Sequence, residues 1–235
     1  MTAAAATTRR RSQAGPPLGV LAVVFTALFL GGLFLGTILG GGKPYPSPFG
    51  ATPDILEYFR DHATAVRVGG ALQFAAAIPL AIYAATVSAR LHQLGVRAPG
   101  ATIALAGGLL SSGFLALSGL LGWVMSRAEV LDEPALVRGL QYLNFAAGGP
   151  GHVVPLGLLV AGVAVPGLLA RLLPRWLAWA GLVIAAIAEV ATLSLLVDAA
   201  AYLLPIARFA GLAWLIVVGF RLPQQRPSRA GELRP

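Results

Sequence analysis

Cysteine is absent from all 235 residues, which excludes disulfides, thiolate zinc sites, iron-sulfur clusters and cysteine nucleophiles together. Charge is almost as scarce. Asp, Glu, Lys and Arg make up 11% of the chain, against roughly 25% in an ordinary soluble domain, so a water-soluble reading is excluded. Lysine occurs only as Lys43, and histidine occurs three times. There is no H-E-x-x-H, Walker loop, G-x-G-x-x-G or nucleophile elbow, and with them go the usual signatures of zinc hydrolysis, nucleotide binding and acyl transfer. Nothing in this inventory implies a cofactor.

Apolar residues fill 57% of the positions, with 29 glycines and 17 prolines set among Leu, Val and Ala. In a polar chain that much Gly and Pro would mean disorder, but both are commoner in membrane helices than in soluble ones. Stretches of about 20 apolar residues, each able to cross ~30 Å of hydrocarbon at 1.5 Å per residue, specify an all-α, polytopic membrane helical bundle. Six transmembrane helices are expected, at residues 18–39, 66–88, 101–125, 151–169, 176–197 and 202–220. This places a six-helix domain at 18–222 between an N-terminal tail, 1–17, and a C-terminal tail, 223–235. The first run is 22 residues long and follows Arg9, Arg10 and Arg11. A signal-peptide core is about 7–15 residues, so an uncleaved span is expected here.

One or two short interfacial helices are expected on the outer side. Four prolines between Lys43 and His62 precede an amphipathic stretch that Asp54 is placed to cap. Between Arg138 and Arg171 the chain is longer than one span requires, and Gly148-Gly149-Pro150-Gly151 divides it, because proline removes a helical hydrogen bond. Residues 134–147 then form an interfacial helix or a half-helix dipping inward. His152 opens the following span near the outer interface.

Six spans put both termini on one side. That side carries Arg9, Arg10, Arg11, Arg90, Arg97, Arg171, Arg175, Arg221, Arg226, Arg229 and Arg234, eleven in all. The other carries six basic residues, Lys43, Arg60, Arg67, Arg127, Arg138 and Arg208, with seven of the nine acids. By the positive-inside rule both termini are expected in the cytoplasm. The net charge of +8 is then explained by topology and anionic lipid, with no need of nucleic acid.

Glu189 is the most informative residue, because it falls halfway along the fifth span among Ala and Val. A carboxylate at that depth costs several kcal/mol, roughly, so it should face the bundle interior, be paired, or be protonated. Thr192 lies one turn on, and His152, Gln73, Asn144, Arg138, Arg67 and Arg127 are the candidate partners. The group reads either as an outward-facing cavity for a small ligand or a proton, or as a structural polar plug. Gly32, Gly36 and Gly40 form a small-residue stripe in the first span, suited to a homodimer face or to packing within the bundle. Ser111-Ser112-Gly113 is a weak match to an intramembrane protease serine, with no histidine evidently placed as its base. His62 and His92 fall in loops on opposite sides and cannot bracket a haem, and Glu129, Asp132 and Glu133 are spaced as solvated loop acids, not as a metal site.

AVRVGGALQFAAAIPLAIYAATVSARL, GGPGHVVPLGLLVAGV and LLPRWLAWAGLV, above all the PRWLAWAG element, resemble a bacterial family of six-span integral membrane proteins classed as a domain of unknown function. The resemblance spans residues 18 to 222 and implies a fold and a bacterial cytoplasmic-membrane location, without an activity or catalytic residues. The expected function is a non-enzymatic ligand-binding or accessory component. A small proton-coupled transporter using Glu189 and an intramembrane enzyme are the alternatives.

Overall fold

Apolar chain in hydrocarbon must satisfy its own backbone, and a helix does so within one segment. The structure, a computed structural model, describes residues 15–224. The greater part of both expected tails, with Arg9, Arg10, Arg11, Arg226, Arg229 and Arg234, lies outside the described residues. Among the described residues nine α-helices follow in order: α1 (Leu18–Leu39), α2 (Thr52–Asp61), α3 (Ala63–Gln93), α4 (Gly100–Met125), α5 (Ala128–Leu131), α6 (Pro134–Ala146), α7 (His152–Leu169), α8 (Arg175–Val190) and α9 (Leu203–Arg221). A π-helical turn, Ala147–Gly151, joins α6 to α7. Two 3-10 turns, Ala191–Leu195 and Asp198–Tyr202, join α8 to α9. Among the described residues six helical segments are long and apolar enough to cross a membrane, counting α6 with α7 as one. The chain is a multi-pass membrane protein.

Leu18 and Arg221 share one end of this bundle, the terminal end, and α2, α5 and the start of α6 gather at the distal end. Small residues set the spacing, because without a hydrophobic drive between helices close backbone approach does the holding. A Cβ on Gly107 of α4 would sit 2.6 Å from Leu159 N of α7, and one on Gly70 of α3 would sit 2.6 Å from Gly119 O of α4. The stripe on α1 is used within the chain. Gly32 lies against Gly69 and Leu72 of α3, Gly36 faces Ala65, and Gly40 meets the Tyr58 hydroxyl. Trp176 and Trp179 near the terminal end, and Trp123 and Tyr202 near the distal end, are exposed as interfacial belts require.

The distal connections are ordered by their own chemistry. Gly41 (φ 64°) and Gly42 (φ 82°) turn the chain out of α1 in a conformation other residues resist. Pro53 enters the first turn of α2, and Ile55 and Phe59 pack with Met125, Leu131 and Val137. Asp54 does not cap this helix: Ala51 holds the cap position without a side-chain bond, and Asp54 lies in the first turn, where its charge favours the positive helix end. The break before α7 is real and local. Gly149 leaves helical geometry (φ −84°, ψ −106°), and α6 descends beside α4, so that Asn144 reaches Ser118 well inside the bundle. This is the half-helix alternative.

Candidate functional site

The distal half of the bundle encloses a cavity of about 330 Å³. Its walls are α1 (Phe29, Gly32, Gly36), α3 (Gly69, Gly70, Gln73), α4 (Leu115, Ser118), α6 (Gln141, Asn144) and α9 (Leu204, Arg208). Glycine on two of those walls, α1 and α3, leaves the space that side chains elsewhere would fill. The roof is the loop after α1. Tyr45 and Pro46 cross the opening, held by Asn144 Nδ2, which donates to the Tyr45 hydroxyl at 3.0 Å, and by Gln141 Nε2, which donates to Pro46 O at 3.2 Å. The Tyr45 ring meets Phe59 and Tyr58 edge-on, at 5.6 and 6.1 Å between centroids. Burial pushes the Tyr45 phenol above its ordinary value, an effect its bond with Asn144 partly opposes.

Inside the cavity Ser118 Oγ donates to Asn144 Oδ1 at 2.6 Å and lies 3.4 Å from Gln73 Oε1. Two of the residues singled out in the sequence, Gln73 and Asn144, are thus brought together by a serine that was not. The base of the cavity is Arg208. Its guanidinium lies 5.5 Å from the centroid of Phe29, a residue about 17 Å along α1 from Leu18 at 1.5 Å per residue, which is half the thickness of a bilayer core. The helix break supplies its acceptor. His152 N–H turns to Gly149 O, and the Gly148 carbonyl accepts from Arg208 Nη2. Arg208 Nε is enclosed without a partner, and among the described residues no carboxylate is paired with this arginine.

This overturns the assignment of Arg208 to the outer basic set. The sequence did hold a signal: Arg208 stands six residues inside the run 202–220, and the depth rule that singled out Glu189 applies to it equally. For Glu189 the geometry is the reverse of the expectation. It is exposed on α8 and hydrogen-bonds to no described residue, and its Oε1 would lie 3.4 Å from a Cβ placed on Gly157 of α7. The reason is the packing stripe of α8, formed by Leu177, Ala178, Gly181, Ala185 and Ala188. Glu189 stands at the edge of that stripe, about 40° round from Ala185 and past the last buried position of the helix, so its Oε1 comes beside α7 while the residue as a whole is exposed. Thr192 is exposed as well. Arg67 and Arg127 remain at the distal end outside the cavity, the first donating from Nε to Ser126 Oγ at 3.4 Å and the second over the Trp123 ring.

His152 is neither at the interface nor beside Glu189. It is fully buried beneath the cavity, stacked 6.4 Å from Phe29, with Nδ1 2.8 Å from Ser111 Oγ. A histidine therefore does reach the serine motif of α4, contrary to the sequence reading. Two further contacts define its chemistry: Ser111 Oγ donates to His152 O at 2.9 Å, and Nδ1 lies 3.1 Å from Ser111 O. All three are satisfied together when the hydroxyl proton goes to the carbonyl and Nδ1–H donates to the serine. In that state Nδ1 has no lone pair with which to take the serine proton. Both residues are sealed from the cavity, so the pair is a clasp between α4 and α7. Among the described residues no group of three or more His, Cys, Asp or Glu side chains is arranged to hold a metal. Comparison with protein-family models, with curated proteins and with solved structures gives no match.

Proposed function

We propose that this chain is a non-enzymatic, ligand-binding component of a bacterial cytoplasmic membrane, which receives a small molecule in its distal cavity. The cavity itself carries the reading. Its volume falls at the lower end of the roughly 300–1,000 Å³ typical of small-molecule sites, and its apolar walls hold a few convergent polar groups. The location and orientation rest on the asymmetry of basic residues, eleven to five once Arg208 is moved into the bundle, and on the resemblance to bacterial six-span proteins. Both termini are then cytoplasmic and the cavity belongs to the outer half. A proton-coupled carrier built on Glu189 has no geometric support, and an enzyme would need Ser111 to meet a substrate it does not reach.

The absence of cysteine makes the test clean. Ser118→Cys places a single thiol on the cavity wall. A membrane-impermeant methanethiosulfonate reagent should modify it from the outside and not from the cytoplasmic side. Gly36→Leu, on the cavity wall where an added Cβ meets nothing nearer than Ala65 O at 3.8 Å, should slow the modification by about tenfold or more. A thiol that reacts from neither side, or equally fast with and without the plug, overturns the proposal.

A further inference from the structure

Among the described residues Arg208 alone of the cavity wall carries a full charge, and that charge lies at mid-depth with one hydrogen bond to them, to Gly148 O. A guanidinium has five N–H donors, and its fork matches a two-oxygen acceptor. Phe29 covers one face, which favours the cation but takes up none of those donors. Such a group at such a depth needs a counter-charge, and the described residues supply none. The remaining polar side chains of the lining are all neutral, the amides of Gln73, Gln141 and Asn144 and the hydroxyls of Ser118, Thr37, Tyr45 and Tyr58. One positive charge and no negative one balance a single negative charge, whereas a dianion would leave an excess and a neutral ligand would leave the arginine unpaired.

The rest of the cavity is apolar, and it meets the bundle surface between α1 and α9. Leu33 from one helix and Pro205 from the other line it and are exposed. An apolar body can extend there into hydrocarbon while its polar end stays inside. We infer that the ligand is a monoanionic amphiphile, with one carboxylate or phosphodiester on an acyl body, whose oxyanion is held by Arg208. This rests on the ligand-binding reading above and names the class of molecule that reading requires.

The experiment uses the same Ser118→Cys thiol in full-length protein reconstituted in phosphatidylcholine vesicles. Dodecanoate should slow its modification at least about tenfold, while dodecanol and dodecylamine, of equal chain length, change it little. Arg208→Gln should abolish the protection by dodecanoate. Arg208→Lys should keep part of it, since the charge remains and the fork is lost. A parallel arm adds phosphatidylglycerol to the vesicles and omits dodecanoate. Arg208-dependent protection there identifies a membrane lipid as the source, and protection by dodecanoate alone identifies a free acid. Equal protection by dodecanoate and dodecanol overturns the inference, as does protection that survives in both Arg208 variants, while the cavity reading stands. The dodecanoate-to-dodecanol comparison needs no change at Arg208, so it decides the matter even where the Gln variant does not fold. A thiol that never reacts overturns the cavity reading instead.

Discussion

The terminal base of this bundle and the cavity wall at its distal end use glycine in opposite ways. Toward the terminal end glycine brings backbones together: a Cβ on Gly219 would lie 2.7 Å from Gly19 N, joining α9 to α1, and one on Gly100 would lie 3.0 Å from Gly162 O, joining α4 to α7. On the cavity wall between α1 and α3 it leaves space, although Gly70 and Gly119 still hold α3 against α4 nearby. A Cβ on Gly36 would find nothing nearer than Ala65 O at 3.8 Å, and one on Gly69 nothing nearer than Gly32 O at 3.5 Å. Helices α1 and α9, in backbone contact at one end, are bridged at mid-depth by Arg208 over Phe29 and separated beyond it by the cavity. One residue type therefore builds the rigid base and the open site, and the difference lies in what stands opposite.

That contrast makes its strongest prediction for Gly162→Leu. The added side chain would meet Gly100 O at 2.7 Å and the backbone of Ala104, and a backbone cannot swing aside as a flexible side chain does. Overpacking of this kind costs more than ~3 kcal/mol, enough to prevent folding of a marginally stable bundle. Size-exclusion chromatography in mild detergent should show loss of the monodisperse peak. Gly36→Leu should retain it. Equal behaviour of the two variants would erase the distinction between the halves.

His152→Phe comes next in size. It keeps the ring beside Phe29 but removes the contacts of Nδ1 with Ser111, at the level where the closed half gives way to the open one. Buried polar contacts between membrane helices are worth about 0.6–2 kcal/mol, so the thermal midpoint should fall by several degrees, about 2–4 °C per kcal/mol at this chain length. Ser111→Ala should cost a similar amount, and the wild type should not react with a fluorophosphonate. Labelling of Ser111, with an unchanged midpoint in either variant, would replace the clasp by a nucleophile.

The fold was open to reading because it rests on local rules: the span of Leu18–Leu39 follows from an unbroken apolar run, and the break before His152 from Gly148-Gly149-Pro150-Gly151. The site was half open to it. Gln73 and Asn144 stand out as amides in apolar helices, yet Ser118 between them looks like any membrane serine until α4 is placed against α6. The reading of Glu189 went wrong because depth along a helix was taken to fix direction around it. The stripe Ala178, Gly181, Ala185 and Ala188, visible in the sequence, marks the buried face, and Glu189, about 40° round from Ala185, stands on the edge of that face and not at its centre. Tyr45 carried no signal, since its role comes from a loop folding back over the bundle.

The smallest effect is expected at that roof, where the open half meets solvent. Tyr45 is 43% exposed, but its hydroxyl is bonded to Asn144 at the cavity, and the surroundings of the hydroxyl govern its proton. Burial raises its pKa above the ordinary 10.0. With the folded value above the unfolded one, the docked loop keeps its full stability below about pH 10 and loses it as pH rises through and beyond that value. Tyr45→Phe removes the bond to Asn144 without removing the ring, a change of less than ~1 kcal/mol for a contact this near the surface. Global stability should therefore hardly move, and the loop should open more often. In the Ser118→Cys background, the modification rate of Tyr45→Phe relative to Tyr45 should exceed one at neutral pH and fall toward one above pH 10, where the phenol deprotonates and its own loop is released. Taking the ratio at each pH cancels the pH dependence of the thiol itself. A ratio of one at every pH would show that the roof does not gate the cavity and that access runs between α1 and α9 alone.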